Sequence, residues 1–164
     1  MSLHTTTKGF SLIEVIVYIA VLVLLSSAAV TTLLSFDTAL LRNKTERVLT
    51  NAATVALERM EHDMRDALTA DTTVSGQLTL TSPDATTVFS TDSGQLVLEV
   101  DGVDQGPLTP SDVTVDSVTF TRYISAGELD TEMVRVALTL SIETHAASLT
   151  ETYYVSAILR NSYE

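Results

Sequence analysis

Lys8-Gly9-Phe10-Ser11-Leu12-Ile13-Glu14 runs directly into Val15–Leu34, a stretch without a single charged side chain. The fold is decided at that junction. As a helix rising about 1.5 Å per residue, roughly 20 residues span the ~30 Å hydrocarbon core of a bilayer. The valines, isoleucines and leucines of the stretch each favour insertion by about 0.3–0.6 kcal/mol at mid-membrane, which comes to roughly 4–7 kcal/mol together. Ser26, Ser27, Thr31 and Thr32 reduce this without reversing it. A carboxylate costs about 3 kcal/mol at the bilayer centre and less near an edge, where Glu14 falls, so the segment is expected to enter a membrane in spite of it.

Two readings of Glu14 follow from its chemistry. In one it sits in the headgroup zone and reaches toward water. In the other the chain is cut between Gly9 and Phe10, and Phe10 gains an α-amino group that is largely protonated at neutral pH. If similar helices then pack side by side, Glu14 of one can meet the amine of the next, and two charges in an apolar setting become one pair.

The stretch from Lys8 to Leu34 resembles the N-terminal signature of type IV prepilins and type II secretion pseudopilins. It has the short polar leader, the Gly before the cut, Phe as the new first residue, a Glu four residues on, and then the apolar helix. The resemblance implies that a prepilin peptidase cleaves after Gly9 and N-methylates Phe10. It implies too that Glu14 guides assembly against other pilin or pseudopilin subunits on an inner-membrane assembly platform, the subunit lying in membrane lipid beforehand. The domains expected are a leader over 1–9, a membrane and filament-core helix over 10–35, and a domain outside the cytoplasm over 36–164.

An ordinary secretory signal peptide is the main competitor, with Lys8 as n-region and Ser26-Ser27-Ala28-Ala29 as the small-residue cleavage site, releasing a soluble acidic binding domain. Against it, apolar residues continue beyond that site, and a signal peptide has no use for Glu14. An uncut single-pass anchor is the third reading. The flanking charges, Lys8 before the span and Arg42, Lys44 and Arg47 after it, taken alone would place the C-terminal domain inside the cell. The cleavage motif places it outside.

Composition narrows the class further. The net charge of −12 belongs to the C-terminal part, since residues 66–164 hold only Arg122, Arg135 and Arg160 against fifteen acids. Such a surface repels nucleic acid. The chain has no cysteine. Many major pilins close a C-terminal loop with a cysteine pair, so within the resemblance this absence leans toward a pseudopilin or minor pilin. Leu57–Ala67, with Arg59, Asp63 and Arg65, and the end Leu159-Arg160-Asn161 resemble J-type minor pseudopilins.

Leu40–Leu68 contains no Gly or Pro. Leu49, Ala53, Ala56, Met60, Met64, Ala67 and Leu68 recur at three- and four-residue spacing, predicting a continued helix with one apolar stripe. Glu61 and Arg65 form an i, i+4 pair on the other face. Because the first proline is Pro83, a straight, unkinked helix is expected from Phe10 to about Leu68.

From Gln77 the texture changes to alternating β-branched runs. Strands are expected at 77–81, 86–90, 95–101, 117–124, 132–143 and 150–160, with turns at Pro83-Asp84, Asp92-Ser93-Gly94, Asp101-Gly102 and Gly106-Pro107. The last two strands should form a hairpin through His145-Ala146-Ala147, with Val134, Val136, Leu138, Leu140 and Ile142 on one face. The fold class expected is α+β, pilin-like: a long N-terminal helix packed by its second half on an antiparallel sheet.

Enzyme signatures are weak. Glu58, His62 and Asp66 share a helical face that could hold a metal, but a solvated row reads the same way. Asp101, Asp104, Asp112 and Asp116 could gather around calcium, although their spacing matches no EF-hand. The histidines are His4, His62 and His145, none with a visible nucleophile and acid beside it, and the glycines make no phosphate loop. No catalytic residue, metal or cofactor is expected.

Overall fold

The computed structural model describes residues 11–125, 131–144 and 148–160. Among the described residues one helix, α1 (Leu12–Asp66), is followed by eight strands: β1 (Thr69–Asp71), β2 (Leu78–Thr81), β3 (Thr86–Asp92), β4 (Gln95–Val100), β5 (Val103–Pro107), β6 (Thr114–Ser125), β7 (Thr131–Glu143) and β8 (Ser148–Ile158). The chain divides into two compact units, residues 1–41 and 42–164.

In the second unit, Leu49, Ala53, Ala56, Met60 and Met64 of α1 are buried, as the stripe predicts, and Ala52 joins them. Alanines and methionines together make up most of the helix's share of the core, and the unbranched methionines can fill irregular gaps. Helical structure ends at Asp66. Ala67 and Leu68, counted with the stripe, instead make the connection to β1, where the Leu68 N–H donates to the Thr81 carbonyl at 2.8 Å. Pairs at i, i+4 run along the helix, Arg42 with Glu46, Arg59 with the largely covered Asp63, and Arg65 with the half-buried Glu61.

All strand pairs are antiparallel, and the six expected strands are present. They do not form one sheet. The order is β1-β2-β3-β4-β5 in a first sheet and β6-β7-β8 in a second. Two-residue loops carry the hairpins where a left-handed backbone is required: Ser93 and Gly94 have φ of 50° and 76°, Asp101 and Gly102 have 53° and 77°. Those signs at both central positions match the twist of the flanking strands. Gly106-Pro107, expected as a turn, instead ends β5. Pro107 is tolerated there because β5 is an edge strand and one side needs no N–H.

The sheets separate after β5. Pro110 has no N–H, and its carbonyl accepts from Val113 at 3.1 Å, which closes a turn. The buried Thr109 hooks this connection to β4: its Oγ1 accepts the Leu96 N–H at 3.1 Å and its carbonyl accepts Gln95 Nε2 at 3.0 Å. Thr109→Val keeps the shape and leaves the buried Leu96 N–H without that acceptor. A loss of about 1–3 kcal/mol is expected, to be read from thermal unfolding followed by near-ultraviolet circular dichroism of the tyrosines.

Both sheets contribute to one core. Leu78, Phe89 and Leu98 lie in a cross-strand row of the first sheet, and all three are buried. In the second, Val134, Val136, Leu138, Leu140 and Ile142 of β7 are buried as the alternation predicts, with Val118 and Tyr153 opposite Leu138. The sheets are tied at one corner by Glu132, which accepts Arg122 Nε at 2.7 Å and Nη2 at 2.9 Å while also accepting the Ala70 N–H of β1 at 3.2 Å. Tyr153 links β8 to the helix, donating to Glu151 Oε2 at 2.9 Å and lying 3.3 Å from Thr50 Oγ1. Partial burial pushes its phenol above the usual tyrosine value.

Candidate functional site: the N-terminal end of the helix

In the first unit every described side chain is exposed. From Leu12 to Leu41 the large apolar residues are 45% to 80% exposed, far more contiguous apolar surface than a chain in water keeps uncovered. Among the described residues, α1 is the one helix long and apolar enough to cross a membrane.

The hydroxyls of this stretch are adapted to such a setting. Thr31, Thr32, Ser35 and Thr38 donate to the carbonyl four residues back, and Ser27 to the one three back, at 2.8–3.0 Å. With their hydrogen bonds made inside the helix, they cost less to take out of water.

The helix starts at the junction singled out in the sequence. The Ser11 carbonyl accepts the N–H groups of Glu14 at 3.0 Å and Val15 at 3.2 Å. Glu14 thus stands in the first turn, where the positive end of the helix dipole favours a carboxylate. Its Oε1 accepts a hydrogen bond from the Tyr18 hydroxyl at 3.2 Å. Gly9 and Phe10 lie outside the described residues, as do His4 and the His145-Ala146-Ala147 connection. Tyr18 was not singled out from the sequence. The signal was nonetheless there, an aromatic hydroxyl four residues beyond the acid.

The other candidate clusters have local uses. His62 Nε2 lies 3.6 Å from Asp66 Oδ2, and both side chains are well exposed. Asp101 Oδ1 accepts the Thr86 N–H at 2.8 Å, Asp104 Oδ1 the Gly106 N–H at 2.7 Å, and Asp116 Oδ1 the Ser141 hydroxyl at 2.9 Å. These carboxylates brace turns and the bulge of β6. Among the described residues, no three His, Asp or Glu side chains gather as a metal site. Asp71 is held below the usual carboxylate range by hydrogen bonds from the backbone and hydroxyl of Thr73.

No curated protein and no solved structure matches the chain. Residues 5–30 match a family model, that of the prokaryotic N-terminal methylation motif. Residues 5–30, running from Thr5 through Gly9 and Phe10 into the apolar helix, thus carry the prokaryotic N-terminal methylation motif.

Proposed function

We propose that this chain is a structural subunit, a minor pilin or pseudopilin, of a type IV pilus or type II secretion pseudopilus. Prepilin peptidase cuts after Gly9 and methylates Phe10. The apolar helix holds the subunit in the inner membrane with residues 36–164 outside the cytoplasm, and an assembly platform then moves it into a filament, where the helix packs against those of other subunits. The observation that carries this reading is the methylation motif running without interruption into an exposed apolar helix with Glu14 in its first turn.

The chemistry of the remainder agrees. With fifteen acids against three bases from residue 66 onward, the surface disfavours nucleic acid as a partner, and its role is assembly rather than catalysis. The cysteine-free chain leans toward a pseudopilin or minor pilin, and the resemblance of Leu57–Ala67 and of the end Leu159-Arg160-Asn161 favours a J-type minor pseudopilin as the finer assignment.

Mass spectrometry of the mature N-terminus tests the proposal. Methylated Phe10 is expected. A start near Ala29 or Val30 would instead indicate secretion of a soluble domain, and an intact Met1 or Ser2 a simple anchor. Gly9→Leu places a branched side chain where the peptidase meets the smallest residue, and should leave a precursor heavier by the mass of residues 1–9. Processing at the wild-type rate would overturn the peptidase assignment.

A further inference from the structure

Between Glu14 and Ser26 the helix carries one side chain able to form a hydrogen bond, Tyr18. It stands four residues after Glu14. Side chains on an α-helix tilt toward its N-terminus, so the later residue of an i, i+4 pair reaches back over the earlier one. The phenol makes that reach and donates to Glu14 Oε1 across 3.2 Å. Further along, the hydroxyls of Ser27, Thr31, Thr32, Ser35 and Thr38 turn back onto helix carbonyls. Tyr18 carries its hydroxyl at the far end of a rigid ring, too distant to fold onto its own helix backbone, and its polar tip meets the carboxylate instead.

We propose that Tyr18 is a positioning residue for Glu14: its phenol occupies Oε1 and leaves Oε2 as the acceptor for the α-amino group of an adjoining subunit. This rests on the filament reading given above. A carboxylate with one oxygen already hydrogen-bonded loses less on leaving water. Held in one rotamer, it also gives up less side-chain entropy when the amine arrives. Tyr18 therefore acts on assembly through Glu14, without touching the incoming subunit's terminus itself.

Tyr18→Phe removes the hydroxyl and keeps the ring. The contact is tested in the full chain, reconstituted in phosphatidylcholine vesicles, by the infrared C–O stretch of tyrosine. The Tyr18 component is identified by its loss in Tyr18→Phe, and Glu14→Val should shift it; an unshifted component overturns the contact. The positioning role is tested in cells. Tyr18→Phe should lower incorporation into filaments by about threefold to tenfold, with cleavage and methylation at Phe10 unchanged. Incorporation at the wild-type level overturns that role. If the unaltered chain is absent from filaments, the proposal falls with the filament reading, and the vesicle measurement shows whether the contact itself was also at fault.

Discussion

Glu14→Val subunits should be cleaved, methylated and retained in the membrane, yet be depleted from sheared filaments by at least about tenfold relative to the wild type. The substitution makes the span more apolar, so insertion gains rather than suffers. On the mechanism proposed above, what is lost is the partner for a protonated amine that helix packing carries into an apolar surrounding. Removing one member of a buried ion pair costs about 3–5 kcal/mol because the other charge is left uncompensated. Each ~1.4 kcal/mol is a factor of ten, so even a partly hydrated pair gives a tenfold effect. Immunoblots of the filament and membrane fractions measure it. Glu14→Val entering filaments at the wild-type level would remove the electrostatic step from the proposed mechanism.

Phe89→Ala should cost about 3–5 kcal/mol of folding stability, the largest effect expected from any single core truncation in this domain. Phe89 is fully buried and has the greatest volume among the fully buried side chains. It sits mid-sheet on β3, opposite Leu78 on one side and Leu98 on the other. Truncation removes the ring's transfer free energy and leaves a cavity that the hydrogen-bonded strands cannot collapse to fill. The thermal midpoint of the full chain in detergent, followed by tyrosine near-ultraviolet dichroism, measures the loss. A cost below about 1 kcal/mol would mean that the first sheet does not share the core with the helix.

The two predictions draw on different levels of information. Glu14 stands out in the sequence itself, four residues after Phe10 and at the head of the apolar run. Phe89 was placed in an expected strand, but nothing local distinguished it from Val88. Its burial follows from which face of the first sheet is turned inward.

The sequence by itself determined the elements whose signals are local. Twenty uncharged residues set the membrane-competent helix. The three- and four-residue recurrence from Leu49 to Met64 set its buried stripe, and the alternation from Val134 to Ile142 set the inward face of β7. Asp101-Gly102 and Ser93-Gly94 likewise set their hairpins, since a left-handed backbone is a property of the turn alone. Tertiary structure decided everything that depends on pairing. The three residues of β1 are too few to show a period, and β5, with Asp104, Gly106 and Pro107, has the composition of a loop; both are strands because a neighbour supplies the hydrogen bonds. The division into two sheets turned on where Thr109 and Pro110 bend the chain after β5. Strand order is a choice among partners distant in sequence, and no window of local periodicity records which partner wins.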